Sequence, residues 1–249
     1  MIELLEEMWQ TRAVCDETGK TIAADNMLSR EEGHLLYDLI KSDTTVSRTL
    51  EIGCAFGSSS LSICSALADR PNPSHFIIDP FQSTHWRSIG VLNLKRAGFD
   101  RFELIEEGSE YALPRLAKTA SGSFDLVFVD GFHTFDHTLI DLFYATKLLR
   151  IGGYLIVDDA HWPSVEKAVR YYELCPCFSR VASTKALPKE HNLKLLITGL
   201  IFLLPLFGSL RRFLDYHLRQ RMNGSLCTMV ALKKIAEDHR AENWHQSDF

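Results

Sequence analysis

The sequence predicts an α/β fold in which a doubly wound, mostly parallel sheet carries helices on both faces. From residue 48 onward, short apolar runs alternate with longer segments of helical periodicity, and this alternation gives parallel strands joined by right-handed crossovers. The apolar runs are continuous, as in strands that are buried on both faces. With 249 residues, of which 46% are hydrophobic, the chain is long enough for one large domain with a substantial core.

Five strand-then-helix units and two further strands make up this sheet. The five strands are expected at residues 48–53, 75–79, 102–107, 124–130 and 153–159. The helices that follow them are expected at residues 58–69, 86–97, 110–119, 134–149 and 163–174. Apolar runs at 178–183 and 225–235 supply the last two strands, which completes a Rossmann-like sheet of seven strands.

The chain around this sheet divides into segments. Residues 1–45 have the pattern of helices, and Ser29-x-x-Glu32 has the form of a capping box. Residues 46–183 contain the α/β core, and residues 225–249 add the last strand and a C-terminal tail.

An insertion at residues 184–224 precedes the last strand. It contains LLITGLIFLLPLFGSL at 195–210, with lysines before this stretch and arginines after it. The stretch is shorter than the roughly 20 apolar residues that a membrane span needs, and an apolar surface of this size is not left bare in water. We therefore expect a helical insertion at 190–222. The alternatives for it are shallow attachment to an anionic membrane surface and a buried hairpin or homo-oligomer interface.

The composition limits which classes of partner and which cellular compartment are expected. A formal net charge of −5 gives no reason to expect nucleic acid as a partner. The six cysteines form no CxxC pair, so free thiols in a reducing compartment are expected. The opening MIELLEEMWQ is acidic and broken by charge, so we do not expect it to be a targeting segment. We expect a cytoplasmic protein, which the insertion could attach peripherally to a membrane.

The segment TLEIGCAFGSSSL at 49–61 predicts a ligand site after the first strand. Its alternate positions are acidic or small: Glu51, Gly53, Ala55 and Gly57. Small residues let a ligand approach the backbone and the N-terminus of the next helix. The dinucleotide pattern G-x-G-x-x-G fails because positions 55 and 58 are Ala and Ser, which argues against an NAD-type oxidoreductase. A structural turn without a ligand is the alternative.

Asp79 closes the second strand, where a carboxylate can accept hydrogen bonds from both hydroxyls of a ribose. Alone, an aspartate before proline could simply begin a turn. With the glycine turn one strand earlier, a nucleoside-bearing cofactor is favoured.

Three carboxylates are expected at the ends of the fourth and fifth strands, Asp130, Asp158 and Asp159. These strands are expected to be neighbours, about 4.8 Å apart, and like charges so close need a proton or a cation. Oxygen ligands suit Mg²⁺ or another divalent cation. The alternative is that these aspartates begin turns and cap helices.

These motifs carry a family resemblance. An acidic residue followed by G-x-G-x-G, with Ala55 at the middle glycine, resembles motif I of the class I S-adenosylmethionine (SAM) dependent methyltransferases. IIDPFQ, FVDGFHTFDH, LLRIGGYLIVDD and the Asp-Asp-x-His at 158–161 are similar to the metal-dependent O-methyltransferases. Within that group the small bacterial and macrolide-sugar enzymes are more similar than catechol O-methyltransferase. The resemblance covers residues 25–183 and 225–249.

The resemblance implies a site and a reaction. It implies SAM and Mg²⁺ as cofactors and a small-molecule hydroxyl as methyl acceptor. The implied SAM-binding residues are Glu51, Gly53, Ala55, Gly57, Asp79, Gly108, Ser109 and Asp130. The implied metal ligands are Asp130, Asp158 and Asp159, although the catechol type has Asn at the third position.

A histidine at this rim is expected to accept the proton of the acceptor hydroxyl. His161 is favoured as the base and His133 as a supporting contact, while His137, Trp86 and Trp162 are candidates for the acceptor pocket. A non-catalytic scaffold or membrane-recruited binding protein with the same fold is the rival interpretation. The retained carboxylates argue against it.

Overall fold

The computed structural model describes residues 2–184 and 227–245. Within them the strands are β1 (Ala13–Cys15), β2 (Thr21–Ala23), β3 (Arg48–Ile52), β4 (Ser74–Ile78), β5 (Phe102–Ile105), β6 (Phe124–Val129), β7 (Leu149–Val157), β8 (Phe178–Ser183) and β9 (Val230–Lys234). The helices are α1 (Glu3–Thr11), α2 (Arg30–Ser42), α3 (Ser58–Leu67), α4 (Ile89–Arg96), α5 (Ser109–Thr119), α6 (Phe135–Leu148) and α7 (Pro163–Glu173).

Seven strands form one sheet in the order β5-β4-β3-β6-β7-β9-β8. The pairs from β5 to β7 are parallel, and β9 is antiparallel to both β7 and β8. Chain order reverses beside β3, and in open α/β sheets the crevice outside the carboxyl ends of the strands at that point binds ligands. Ile52 pairs with Val129, which pairs with Val157, so β3, β6 and β7 end in the same row.

The core consists of apolar layers on the two faces of this sheet. One layer packs β6 and β7 against α5, α6 and α7, with Val127, Leu142 and Val169 among its buried residues. On the opposite face, α2 and α3 cover the sheet through residues such as Leu36 and Ile63. Every residue of β6 is buried, which explains its apolar run from Leu126 to Val129.

The predicted seven-stranded α/β fold is confirmed, with element ends shifted by a few residues. The capping box is confirmed too: Ser29 Oγ accepts from the Glu32 amide, and the Glu32 carboxylate accepts from the Ser29 amide. The helical interpretation of residues 1–45 is wrong in part. Residues 13–23 form the antiparallel hairpin β1–β2, which turns through Gly19 at φ +82°.

The expected insertion at 190–222 lies outside the described residues, so its helical structure stays a prediction. No helix in the described part of the chain is long and apolar enough to cross a membrane.

Candidate active site

A cleft of about 200 Å³ lies at the carboxyl ends of β3, β4 and β6. It is lined by Ile52, Gly53, Cys54, Ala55, Ile78, Asp79, Pro80, Phe81, Trp86, Gly108, Ser109, Asp130, Gly131 and Phe132. Six of the eight residues predicted to bind a cofactor therefore line this cleft, and Gly57 lies in the turn beside it. Glu51 is the exception, and it lies behind the turn.

The turn after β3 is shaped by close approaches of the backbone. Gly53 has φ +85°, and a Cβ there would lie 1.9 Å from the Asp130 carbonyl oxygen. Gly57 has φ +86° and faces the carbonyl of Gly90, which a Cβ would meet at 2.9 Å. Ala55 also lies in the left-handed region, at φ +46°. The alternate small residues thus let the turn pack against β6 and α4 and leave the cleft open.

Asp79 is 2% exposed and holds this turn in place. Its Oδ2 accepts hydrogen bonds from the amides of Cys54 and Ala55, at 3.1 and 3.0 Å. The side-chain amide of Gln82 donates to the same oxygen at 2.9 Å and to the Ala55 carbonyl at 2.8 Å. The amide of Phe81 donates to Oδ1 at 2.9 Å. Asp79 borders the cleft as predicted, but most of its hydrogen-bonding capacity serves the loop.

Glu51 is fully buried beneath the turn. One carboxylate oxygen accepts a hydrogen bond from the Ser60 hydroxyl and lies 3.0 Å from Nε2 of His75. The Nδ1 of His75 is in turn 2.9 Å from the Thr49 hydroxyl. The other oxygen of Glu51 finds no hydrogen-bond partner among residues 2–184 and 227–245. Glu51 therefore ties β3 to β4 and α3 instead of lining the cleft.

The far wall of the cleft is built by the start of α5 and the loop after β6. Gly108 precedes the helix, and Ser109 is its buried first residue. Phe81 and Phe132 meet edge to face at 6.1 Å between ring centroids. Both rings remain about half exposed, 43% and 51%, so an apolar edge flanks the opening.

A cluster of charged side chains adjoins this opening. Side-chain atoms of Asp130, His133 and Asp159 that could bind a metal all lie within 4.8 Å of one another. Nε2 of His133 is 2.9 Å from Oδ2 of Asp159 and 3.3 Å from Oδ1 of Asp130. Asp159 has φ +49°, a backbone conformation that costs free energy in a residue other than glycine. Asp130 belongs to both the cleft and the cluster.

Asp158 is buried beside this cluster. Its Oδ1 has no hydrogen-bond partner within the described part of the chain. Two of the three predicted ligands, Asp130 and Asp159, thus come together with His133, while the third lies deeper. An orphaned buried oxygen and two clustered carboxylates fit a divalent cation, which prefers oxygen ligands.

The electrostatics of the cluster reflect crowded negative charge. Burial raises the pKa of Asp130 to about 6, with Asp159 adding to the rise and His133 opposing it. Burial also raises the pKa of Asp158, and the charge of Asp130 raises it further. Contacts with Asp130 and Asp159 raise the pKa of His133 to about 9. The His133 imidazolium therefore offsets part of this negative charge.

The remaining predicted side chains lie around the carboxylate cluster or the cleft. Nδ1 of His161 is buried 3.7 Å from Oδ1 of Asp159. Trp162 is 47% exposed, and its ring lies 4.9 Å from that of His133. His137 packs on Phe132 at 5.1 Å. Trp86 packs edge to face on Phe56 at the other end of the cleft.

Comparison with known proteins shows which family the sequence resembles. A family model described as a methyltransferase domain matches residues 50–160. That match spans the glycine turn, Asp79, the loop after β6 and the end of β7. This match and the geometry of the site support a class I SAM-dependent methyltransferase.

Solved structures share the fold of this methyltransferase. An O-methyltransferase from Bacillus cereus in complex with SAH is 22% identical, with 74% of this chain and 86% of that chain covered and a TM-score of 0.58. TomG, an O-methyltransferase of Streptomyces achromogenes in complex with SAM, is 25% identical, with 74% and 84% covered and a TM-score of 0.57. SAH-bound PaMTH1 from Podospora anserina is 21% identical, with 73% and 83% covered and a TM-score of 0.57. No curated protein matches the sequence.

Several residues of the methyltransferase site were missed by sequence reasoning. Gln82 stands three residues after Asp79, a spacing that could have marked it as a partner. His75 and Ser60 gave no comparable signal, because their contact with Glu51 depends on pairing between distant segments. Asp141, buried in α6 near Gly131, could have been noticed only as a charged residue on a predicted apolar helix face.

Proposed function

We propose that this methyltransferase transfers the methyl group of SAM to a hydroxyl of a small molecule, assisted by a divalent cation. One observation carries the proposal: Asp130 belongs both to the cleft and to the carboxylate cluster at its opening. A methyl donor in the cleft and an oxygen nucleophile at the cluster would then be neighbours. The relatives described as O-methyltransferases support the choice of oxygen as acceptor atom.

The residues that line the cleft support SAM as its ligand. Gly53 and Ala55 leave room beside the turn for the amino-acid and sulfonium part of the cofactor, and Asp79 borders the cleft at the position predicted for the ribose. Gly108 and Ser109 face the cleft from the start of α5, which suits the adenine. Holding a sulfonium methyl group in line with a nucleophile supplies much of the rate enhancement in such a transfer.

The cluster has the side chains that a cation and a proton transfer need. Asp130 and Asp159 would hold the ion, with the orphaned oxygen of Asp158 as a further ligand. A divalent cation bound there would lower the pKa of the acceptor hydroxyl. Contacts with both carboxylates raise the pKa of His133 to about 9, so His133 already carries a proton at neutral pH. We therefore assign proton acceptance to His161, whose Nδ1 lies 3.7 Å from Asp159, and keep His133 as a supporting contact.

The aromatic residues near the cluster suit an acceptor with an apolar body. Trp162 is 47% exposed beside His133, and Phe132 is 51% exposed beside the cleft. Large exposed aromatic side chains at the edge of a cleft are typical of ligand contacts. Trp162→Ala should therefore raise the KM for the acceptor while leaving the affinity for SAM unchanged.

The proposed function is tested by methyl transfer from labelled SAM to a panel of hydroxylated small molecules. Transfer should need Mg²⁺, stop in EDTA and return with excess Mg²⁺. Asp159→Asn should lower kcat by at least about 10²-fold, comparable to the loss of an electrostatic catalytic group. Asp136→Asn is the matched control, because Asp136 is 77% exposed on α6 and loses the same charge. Full turnover in EDTA would contradict the cation, and transfer to amines alone would contradict the hydroxyl acceptor.

A further inference from the structure

Asp141 is a buried acid that the proposed reaction does not use. It lies in the middle of α6 and is 1% exposed. Neither of its carboxyl oxygens has an aligned hydrogen-bond partner among the described residues. A buried, unpartnered carboxylate is costly, so this environment favours the neutral acid.

The surroundings of Asp141 connect it to the cofactor cleft. Its Oδ2 lies 3.3 Å from the point where a Cβ on Gly131 would stand, and Gly131 forms part of the cleft wall. Ser109 lines the same cleft from the first turn of α5, a helix that packs on α6. Asp141 therefore lies directly behind Gly131 in the wall of the cleft.

The charge state of Asp141 follows from these surroundings. Burial raises its pKa to about 7, and interaction with the Ser109 side chain and with the charge of His137 opposes that rise. Glu110 on α5 adds to it. His137 stands one turn earlier on α6, and α6 packs against α5, α7, β6 and β7. In the described part of the chain, the charged or titratable groups that act on Asp141 from its own helix and from these elements are His137 and Glu110. The acid is therefore largely neutral below neutral pH.

A neutral carboxyl group can do what a carboxylate cannot. It carries an O–H donor, whereas the ionised form only accepts hydrogen bonds. If Asp141 donates to Oγ of Ser109, the Ser109 hydroxyl keeps its own proton free to donate into the cleft. If Asp141 is ionised, its carboxylate accepts a hydrogen bond from the Ser109 hydroxyl. The Ser109 oxygen can then only accept hydrogen bonds from a group in the cleft.

We propose that Asp141 is a positioning residue for cofactor recognition: as a neutral acid it donates to Ser109, which then donates to a ring nitrogen of the adenine. The proposal rests on the proposed function in one respect, that adenine binds beside Ser109. The ligand group it identifies is a hydrogen-bond acceptor on a purine, which does not titrate between pH 5.5 and 8.5. Asp141 itself does not touch the cofactor.

Calorimetric titration of the full chain with SAH from pH 5.5 to 8.5 tests this proposal. Wild-type affinity should fall about threefold to tenfold as the pH rises through about 7, the loss expected for one hydrogen bond. Asp141→Asn carries a permanent amide donor, so it should bind as wild type does at low pH and lose most of this pH dependence. Asp130 and His133 titrate equally in both proteins, so the difference between the two curves isolates Asp141.

A double-mutant cycle with Ser109→Ala separates positioning from packing. On the Ser109→Ala background, Asp141→Asn should no longer change the pH profile, because the group that relays its effect is gone. Parallel pH profiles for wild type and Asp141→Asn would overturn the proposal, and so would an Asp141 effect that persists without the Ser109 hydroxyl. Failure of the wild type to bind SAH at any pH would instead contradict the proposed function.

Discussion

Ala55 holds a backbone conformation that favours glycine. It has φ +46°, and the left-handed region costs about 1–2 kcal/mol in a residue with a Cβ. Ala55→Gly should therefore raise the free energy of unfolding by about 0.5–1 kcal/mol, after the larger entropy of glycine in the unfolded chain is subtracted. Urea denaturation measures this change. Ala68→Gly is the control: Ala68 has φ −54° at the end of α3, so the same substitution should destabilise. A lower free energy of unfolding in Ala55→Gly would contradict backbone strain at Ala55.

Asp141 should also make folding stability depend on pH. Its pKa is raised by burial from 3.8 to about 7 in the folded protein, so the folded state binds the proton more tightly than the unfolded state. The stability that this proton confers is complete below pH 4 and is lost as the pH rises toward 7. Asp141→Asn should therefore gain stability over wild type as the pH increases across this window. Thermal melts of both proteins at matched pH values measure the difference, and a constant difference would contradict the raised pKa.

For single residues, the sequence predicted which residues lie near the site better than it predicted where their side chains point. Asp158 and Asp159 are consecutive, and successive side chains at a strand end point different ways. Asp159 consequently joins His133 while Asp158 is buried beside them. The role of Glu51 was hidden for a related reason, since its contact with His75 depends on the pairing of β3 with β4.

The C-terminal segment after β9 is anchored to α7 by one arginine. The Arg240 guanidinium lies 5.4 Å from the ring centroid of Tyr171 and 4.9 Å from that of Trp244, and 2.7 Å from the Asp238 carboxylate. Because aromatic and ionic contacts reinforce each other here, Arg240→Ala should lower the free energy of unfolding by about 1–3 kcal/mol. Chemical denaturation measures the loss.

The control for this prediction is Arg115→Ala. Arg115 is 59% exposed in its pair with Glu107, and exposed pairs contribute little. Equal effects of the two substitutions would mean that the arrangement around Arg240 adds nothing beyond a surface ion pair.

The elements of the sheet were predictable because their sequences carry a strong signal. Continuous apolar runs marked β3, β6 and β7, and helical periodicity marked the segments between them. The β1–β2 hairpin was missed because three-residue strands with mixed polarity show no period. The loop from Gly131 to Thr134 sets the position of His133, and loop conformation is not encoded in a periodic pattern.

The base of the insertion is closed by hydrogen bonds of the described residues. Ser183 pairs with Val230, and the Thr184 hydroxyl accepts from the amides of Thr228 and Met229. Replacing residues 190–222 with a short glycine-serine link should therefore leave SAH affinity unchanged, because β8 and β9 stay paired.

The same replacement should abolish either self-association or binding to vesicles. Sedimentation velocity measures the first, and co-sedimentation with phosphatidylserine vesicles, with phosphatidylcholine vesicles as control, measures the second. A full-length protein that is monomeric and indifferent to both vesicles would contradict both versions of the prediction.

At the scale of the whole molecule, strand order brings the cofactor cleft and the carboxylate cluster to one edge of the sheet. The central claim is that this edge binds a divalent cation next to SAM. Calorimetric titration of Mn²⁺, as a stand-in for Mg²⁺, into SAH-saturated protein tests it without knowledge of the acceptor. We predict one ion per chain, lost in Asp130→Asn and Asp159→Asn and retained in Asp136→Asn. Absence of binding in the wild type, or binding that survives both substitutions, would contradict the claim.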